Sequence, residues 1–577
     1  MSFEEVRFVR RTKKILAVAL LSFCTIQAYK VSASELPLEN AQLEEAQQPF
    51  QLEGTVLVKY TGTDENVVIP NTVTEIKEKA FYNCDTIKQI EIPNTVTKIG
   101  KFAFSNCEQL EEVVLPNQLK VMEGSLFEDC KNLKKVVIPD SVVEIRRWVF
   151  AGCSSLKKVE IPNTVIKIGR WVFNNCFQLE EVNLPNQLKK IEHSLFSGCK
   201  NLNTIVIPST VIEIEPHAFY STGLTSINIP NTVTKIGGSA FSNCIQLKEV
   251  RLPNQLKIIE SSLFEFCQNL KKVVIPDSII AIEGNSFRAC GSLEILEIPK
   301  SVKRVDGGFS EESPWWKEQV KKSPLVIIND NLVKVSNYAK EDGKKLVIPK
   351  GVKRISKNAF NGSGTEYIEE VEIPNTVTAI GSGAFIGKSI KEINIPDSVI
   401  KIGGFVFEDC KKLEKVKLSR NLKTIPEYTF DDCRSLKQIT IPESVTKMET
   451  DPFSNCLKLK DIVVSSKLKD ASAAYFNYPK GIVIHAPKGS YMEKIAKEET
   501  NAIFKPLAIN KKTATIKTKK NVQLNVGTDT TFTTWKSSNP SIASVNSSGK
   551  VTGKKKGTAT ITGTLYGKKY TCKVKVS

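Results

Sequence analysis

The apolar residues of this chain recur with a period of 23 residues. Each repeat contains an Ile/Leu-Pro step preceded by alternating apolar positions, which predicts a short strand that ends at Pro because Pro has no N–H to donate. Apolar spacings of three and four follow and, taken alone, would indicate a helix. However, 23 residues leave too little chain for a long helix. We therefore predict a solenoid in which each repeat forms one coil, a strand followed by tight turns or a single helical turn.

Seventeen copies of this step occur along the chain. They lie at Ile69, Ile92, Leu115, Ile138, Ile161, Leu184, Ile207, Ile229, Leu252, Ile275, Ile298, Ile348, Ile373, Ile395 and Ile441, with Leu418 and Val464 as degenerate members. No single coil can bury its own apolar side, so stacking on neighbours must provide the stability.

Two stretches of the chain resemble known families. Residues 90–100, continued through Ala103-Phe104 to Cys107, are similar to the BspA-type bacterial leucine-rich repeats, and the resemblance covers roughly residues 56–470. The tail, with Trp535, Gly549 and alternating apolar positions, resembles the bacterial group 2 immunoglobulin-like domain. The fold class implied is a β-rich leucine-rich-repeat solenoid with little helix, followed by a small Ig-like β-sandwich. The resemblance also implies a cell-surface protein that binds ligands and is not an enzyme.

The amino terminus has the pattern of a signal peptide. Basic residues precede the apolar stretch 15–26, which is shorter than the roughly 20 residues that span a bilayer. Val31-Ser32-Ala33 is a small-residue cleavage pattern, so we expect cleavage between Ala33 and Ser34 and a secreted or bacterial cell-surface location. A transmembrane span is not expected.

These patterns predict seven segments. They are a signal peptide (1–33), a linker (34–55), a first repeat block (56–305), an insertion or re-capping segment (306–345), a second repeat block (346–475), a C-terminal cap with a short helix (476–508) and the Ig-like domain (509–577). We expect 55–60 and 67–69 to form a hairpin cap and Ser490 to Glu493 to open the cap helix. Trp315 and Trp316 in the insertion could be a sugar-stacking platform, but we favour a role in plugging the core.

Twelve of the 14 cysteines occupy a single repeat position. We expect them to stack as small apolar groups facing the core, because parallel stacked positions resist disulfide geometry. They are Cys84, Cys107, Cys130, Cys153, Cys176, Cys199, Cys244, Cys267, Cys290, Cys410, Cys433 and Cys456. The three histidines, His193, His217 and His485, lie on different coils or in the cap, so we predict no catalytic site, no metal site and no cofactor.

The net charge of +19 is concentrated in the tail. The last 69 residues contribute +13 and the leader +4, which leaves the long middle nearly neutral at +2. An anionic cell-wall polymer is therefore a possible partner of the Ig-like domain, although a solvated strand face would look similar. The residues for this contact are Lys554, Lys555, Lys556, Lys568, Lys569, Lys573 and Lys575. A nucleic-acid partner is not expected, because stacking aromatics are lacking and export would contradict it.

The predicted strands expose residues on either side of each inward position. Their mixed charges suit an extracellular protein or glycan ligand, although an ordinary solvated sheet would look much the same. The candidate strand-face residues are Glu91, Glu112, Lys135, Lys158, Glu160, Glu181, Asn183, Glu249, Arg251 and Lys272. Adhesion is the first hypothesis, a passive stalk or scaffold is the second, and a wall-associated enzyme is the third.

Overall fold

The computed structural model describes residues 49–336, 344–362, 364–471, 481–498, 502–528 and 530–577. The predicted signal peptide, its cleavage site and residues 34–48 of the predicted linker lie outside the described residues. The described chain is a β-solenoid followed by a small β-sandwich, which confirms the predicted fold class. Within these ranges, no helix is long and apolar enough to cross a bilayer.

Each coil begins with a three-residue strand, which we call the first strand. Its middle residue is buried and its two neighbours face outward, and successive first strands pair in parallel, as in Ile90 with Val113 and Val136. The first strands are Asn66–Val68, Gln89–Glu91, Glu112–Val114, Lys135–Val137, Lys158–Glu160, Glu181–Asn183, Ser226–Asn228, Glu249–Arg251, Lys272–Val274, Ile295–Glu297, Lys345–Val347, Glu370–Glu372, Glu392–Asn394, Lys415–Lys417, Gln438–Thr440 and Asp461–Val463. One coil replaces this strand by a single bridge between Val206 and Asn228.

Each coil then forms a two-residue second strand, where the sequence had suggested only a turn. These strands also pair in parallel from coil to coil, as in Ile145 with Met122 and Ile168. They are Glu75–Ile76, Lys98–Ile99, Val121–Met122, Glu144–Ile145, Lys167–Ile168, Lys190–Ile191, Glu213–Ile214, Lys235–Ile236, Ile258–Ile259, Ala281–Ile282, Arg304–Val305, Arg354–Ile355, Ala379–Ile380, Lys401–Ile402, Thr424–Ile425 and Lys447–Met448.

A turn with a buried phenylalanine closes the third side of each coil. Phe104, Phe127 and Phe150 are at most 1% exposed, and their ring centroids lie 5.5 and 5.8 Å apart in a stack that continues from Phe81 to Phe309. The backbone of this turn bonds to the next coil, as where the N–H of Phe127 donates to the carbonyl of Val149 at 2.9 Å. Three hydrogen-bonded sides therefore enclose one continuous apolar core.

The cysteines face this core, as predicted, and they also form hydrogen bonds. The Cys130 thiol is 0% exposed and donates to the carbonyl of Phe104 in the preceding coil at 3.0 Å. Ten further thiols of the same row make the equivalent bond, at Cys107, Cys153, Cys176, Cys199, Cys244, Cys267, Cys290, Cys410, Cys433 and Cys456. A weak donor thus satisfies a buried carbonyl that would otherwise lack part of its bonding.

Glycine after the second strand allows neighbouring coils to approach closely. A Cβ at Gly100 would lie 2.4 Å from the backbone nitrogen of Glu78, and one at Gly169 would lie 2.6 Å from that of Arg147. Both separations are far inside van der Waals contact, so a larger residue would push the coils apart. Close stacking therefore explains the repeated glycine of the sequence pattern.

The insertion replaces missing coils with a helix and a hairpin. Helix α1 (Pro314–Lys322) is capped by the Ser313 hydroxyl, and strands Leu325–Ile328 and Asn331–Val335 form the hairpin. Trp316 is 3% exposed, and the ring centroids of Trp315 and Trp316 lie 5.1 and 5.8 Å from that of Phe309. The tryptophans therefore continue the phenylalanine stack, which confirms the plugging role.

The two ends of the solenoid are closed by added strands. At the start, Phe50–Glu53 pairs antiparallel with Val56–Tyr60, whereas Asn66–Val68 already belongs to the first coil. The hairpin thus differs from the predicted one, and it takes up part of the segment 34–55 that was expected to be a linker. An added strand satisfies the edge that an end coil would leave open.

At the far end, Ile482–Ala486 and Ala502–Pro506 extend the first-strand sheet, with helix α2 (Tyr491–Glu498) between them. The Ser490 hydroxyl accepts from the N–H of Glu493 at 3.4 Å, as expected for the helix start. A short 3-10 turn, Thr365–Tyr367, is the remaining helical element of the described chain.

The Ig-like domain consists of two sheets and rests against the solenoid. One sheet holds Thr513–Ile516, Lys568–Val576, Gly557–Leu565 and Thr534–Ser537, and the other holds Asn521–Gln523, Lys550–Gly553 and Ala543–Val545. The Tyr566 hydroxyl donates to the carbonyl of Ile441 at 2.6 Å, and Val463 packs in the domain's core.

We expect Phe127→Ala to lower the free energy of unfolding by about 3 to 5 kcal/mol, because it leaves a cavity in the middle of the stack. Phe177→Ala is the control, since that ring is 40% exposed, and it should cost less than about 1 kcal/mol. Urea unfolding followed by circular dichroism measures both values. Equal losses would contradict a stacked core.

Thiol labelling of the folded protein should be slow. Burial raises the pKa of Cys107 and of Cys456 to about 12, so few thiolates form at pH 8. Cys84, half-buried at the first coil, should react first with Ellman's reagent, and the other 12 described thiols should react only after unfolding. Fast labelling of most thiols in the folded protein would show that the row is accessible.

Candidate functional site

The predicted strand-face residues lie together on the first-strand face of the first block. Nine are exposed and Lys272 is half-buried. Pairing divides them into two rows, one formed by the first residue of each strand (Glu112, Lys135, Lys158, Glu181, Glu249 and Lys272) and the other by the third (Glu91, Glu160, Asn183 and Arg251). The coil with the bridge at Val206 separates the members up to Asn183 from those that begin at Glu249.

Opposite charges on this face pair with one another. The Lys158 ammonium lies 3.2 Å from the Glu160 carboxylate and 3.3 Å from that of Glu181, and these contacts raise the pKa of Lys158. Lys272 lies 3.3 Å from Glu249 in the same way. Exposed pairs of this kind contribute at most about 1 kcal/mol each, so they remain available for exchange with a partner's charges.

Exposed valines lie between the charged residues. Val114 and Val137 are 49% and 45% exposed and are direct neighbours in the sheet, and Val206 is 83% exposed. The face is therefore a mixture of apolar and charged groups on a regular backbone, which is the composition of many protein-binding surfaces.

The corresponding face of the second block is opposed by the Ig-like domain. A recess of about 1400 Å³ is lined on one side by Lys345, Glu370 and Lys415 and on the other by Trp535 and Asn546. Ion pairs occupy the solenoid side, such as Lys415 with Glu392 at 2.5 Å. Large partners can therefore approach this face more freely on the first block than on the second.

The tail lysines are all exposed, but they form two groups. Lys554, Lys555 and Lys556 occupy the turn before strand Gly557–Leu565, and Lys568 and Lys569 begin the next strand at its other end. A nine-residue strand separates these ends by about 27 Å. Lys573 and Lys575 lie on the exposed side of the sheet, and Lys575 pairs with Thr558 at the end of the strand that follows the three-lysine turn.

The histidines are closer together than the sequence suggested. The ring centroids of His193 and His217 lie 5.5 Å apart, and burial, together with His217 and Arg170, lowers the pKa of His193. His485 bonds to the Asp461 carboxylate at 2.8 Å in the first-strand sheet. Within the described ranges no cluster of three or more His, Cys, Asp or Glu residues could hold a metal ion.

Sequence reasoning missed a row of aromatic side chains beside the second strands. The residue two positions before the stacked phenylalanine, which we call the turn position, is aromatic at Phe102, Trp148, Trp171, Phe405 and Tyr428. The indole rings of Trp148 and Trp171 stack with centroids 5.1 Å apart, and the Trp171 ring meets the edge of His193. The signal was present in the sequence, because other copies have Ser at this position.

Comparison with known families identifies both parts of the chain. The BspA type leucine rich repeat region matches residues 59–142, 123–248, 212–332 and 353–483, and the bacterial Ig-like domain (group 2) matches residues 503–574. Both are repeat or binding-module families and neither is an enzyme family. No curated protein matches the chain.

Several solved bacterial structures resemble the chain at low identity. A leucine rich cell surface protein of Faecalibacterium prausnitzii A2-165 is 23% identical, covering 82% of this chain and 96% of its own, with a TM-score of 0.27. A leucine-rich repeat protein of Bacteroides ovatus is also 23% identical, covering 83% and 100%, with a TM-score of 0.28. One from Eubacterium ventriosum, 23% identical, covers 53% and 78%, with a TM-score of 0.32.

Proposed function

Because the chain belongs to the BspA-type leucine-rich repeat proteins, we propose that it is an exported bacterial surface protein that binds extracellular protein or glycan ligands through the first-strand face of its first block. The proposed role is adhesion without catalysis. Export rests on the leader pattern of residues 1–33, since those residues lie outside the described part.

One observation carries this proposal. The first-strand face of the first block presents neighbouring exposed valines, Val114 and Val137, among charged pairs that are themselves exposed. Burying these side chains under a partner would remove apolar surface from water at about 25 cal/mol per Å². The regular backbone holds the groups in place, so binding loses little conformational entropy.

The Ig-like domain is proposed to associate with anionic wall polymers. The exposed turn at Lys554, Lys555 and Lys556 places three positive charges side by side, and Lys575 extends this group along the sheet. A flexible polyanion can contact such a cluster without a shaped pocket, by long-range attraction that salt screens.

Charge reversal tests the strand face. The variant Lys135→Glu, Glu181→Lys, Arg251→Glu and Lys272→Glu should weaken binding of the mature protein to its matrix-protein or glycan ligand at least about tenfold, a loss of about 1.4 kcal/mol. Biolayer interferometry against immobilised extracellular-matrix proteins and glycans gives the affinities. The control Lys120→Glu with Lys189→Glu makes the same net charge change at exposed residues before second strands and should bind like wild type.

Equal binding by both variants would exclude this face as the contact. Absence of binding to every ligand would favour the passive stalk, and release of wall fragments by the protein alone would favour an enzyme.

A second experiment tests the polyanion contact. Replacing Lys554, Lys555 and Lys556 by Ser should reduce retention on purified wall teichoic acid several-fold at 0.1 M salt, where the screening length is about 10 Å, and should change little at 1 M, where it is about 3 Å. The control removes three exposed solenoid lysines, Lys120, Lys189 and Lys257, and should leave retention unchanged. Equal effects of both variants would indicate unspecific attraction to net charge.

A further inference from the structure

The turn position has an unusual backbone in both blocks. Its φ angle is positive, for example 58° at Ser125, 58° at Ser239 and 63° at Asn285, and Gly308 and Gly383 occupy it elsewhere. Small residues tolerate this left-handed region, whereas a bulky aromatic residue there costs about 1 to 3 kcal/mol. The coil closes equally well with Ser, so folding does not require an aromatic residue at this position.

Phe102, Trp148 and Trp171 nevertheless occupy the turn position with φ angles of 56°, 60° and 59°. All three side chains are half-buried, so part of each ring faces solvent. A residue type that the backbone disfavours, repeated in nearby coils and left exposed, points to binding rather than to stability.

Between Phe102 and Trp148 one coil carries Gly124 and Ser125, and this pair forms the floor of a slot. The ammonium of Lys79 lies over the Phe102 ring at 5.6 Å, so the opposite face of that ring looks across the floor toward Trp148. The far face of Trp148 is stacked on Trp171. The slot therefore has an aromatic ring on each side, and the groove around it has a volume of about 500 Å³.

Arginine and lysine side chains surround this slot. Five cationic residues line the groove against two acidic ones: Lys101, Arg146, Arg147, Lys167 and Arg170 against Glu144 and Glu192. Arg146 lies 2.7 Å from Glu123, and Lys167 lies 3.0 Å from Glu144. Within the described part of the chain, Lys101 and Arg147 make no ion pair, and both are exposed.

Arg147 is placed to serve an incoming anion. Its guanidinium carbon lies 4.9 Å from the centroid of the Trp148 ring, over Gly124, where an added Cβ would come within 3.8 Å of the Arg147 side chain. Because no carboxylate holds it there, the guanidinium can rotate outward and leave the Trp148 face free. It would then offer two parallel N–H donors to a carboxylate at the mouth of the slot.

The width of the slot favours a puckered ring. Phe102 and Trp148 are two coils apart, which is about 10 Å, so a ring midway lies about 5 Å from each aromatic face. A flat nucleobase packs at about 3.5 Å and would leave one face uncovered, whereas the chair of a pyranose fills the greater thickness. The carboxylates of Glu144 and Glu192 can accept from sugar hydroxyls, but they would repel a chain with a phosphate at every unit.

We propose that this groove binds acidic oligosaccharides, with a pyranose between Phe102 and Trp148 and its carboxylate held by Arg147 and Lys101. The site lies beside the second strands, on a different side of the coil from the first-strand face, and does not depend on the function proposed for that face.

Tryptophan fluorescence of the mature full-length protein tests the proposal. The probes are trigalacturonate and sialyllactose as acidic sugars, maltotriose and lactose as neutral ones, a sulfated chondroitin tetrasaccharide, a hexa-aspartate peptide and a thymidine hexanucleotide. We expect saturable binding of at least one carboxylated sugar and affinity at least about tenfold lower for its neutral counterpart. The sulfated probe shows whether the anion site requires a carboxylate.

Three variants assign the site. Trp148→Ser, which places at this position the residue of the neighbouring coil, should abolish binding, and Trp148→Phe should restore part of it. Arg147→Gln should lower affinity for the acidic sugar about tenfold and leave any neutral binding unchanged. Because removing Trp148 also removes fluorescence, isothermal titration calorimetry gives the affinities of these variants.

Two control variants should bind normally: Tyr428→Ser, at the turn position of the second block, and the triple serine variant of Lys554, Lys555 and Lys556. Absence of binding to every carboxylated sugar would overturn the proposal, as would unchanged affinity in Trp148→Ser. Binding of only the peptide or the oligonucleotide would also overturn it, because the ligand would belong to a different class.

Discussion

Burial of each coil against its neighbours is the constraint on which the rest of this structure depends. A repeat of 23 residues has one apolar side and cannot cover it alone. Stacking covers it with an aliphatic row on each sheet and with a phenylalanine row whose ring centroids lie 5.0 to 5.9 Å apart. The thiol row adds hydrogen bonds of about the same length in each coil, so every side of the coil is tied to the coil before it. The closing strands at both ends and the tryptophans of the insertion follow from the same need.

The period made most of this predictable. It placed Phe127 and Cys130 at fixed positions of every coil, and the structure buries both completely. It did not reveal Trp148, because Trp148, Val149 and Phe150 form an apolar run in which only the left-handed backbone turns the first residue outward. His193 and His217 were judged unrelated because local motifs were sought, although a separation of 24 residues is one turn of the solenoid. The contact between Tyr566 and Ile441 spans 125 residues and follows no period, so no pattern could predict it.

The outward positions are those the core leaves unconstrained, and binding can use them without loss of fold. The first-strand face varies freely between charge and valine because only the middle residue of each strand is buried. The turn position accepts Ser, Asn, Gly or Trp because the coil needs only its backbone geometry there. The Ig-like domain, by opposing the second block, leaves the first block as the more accessible part of the molecule. Different sides of one solenoid can therefore serve different ligands.

Excision of a single repeat tests the central claim most directly. Removing residues 249–271 joins Lys248 to Lys272, which occupies the same register as Glu249. If each repeat is one coil, the shortened protein folds, keeps its circular dichroism per residue and unfolds cooperatively, while removing only 249–260 disrupts the stack. Loss of folded structure on excision of the whole repeat, to the same extent as on excision of half of it, would contradict a solenoid of one coil per repeat.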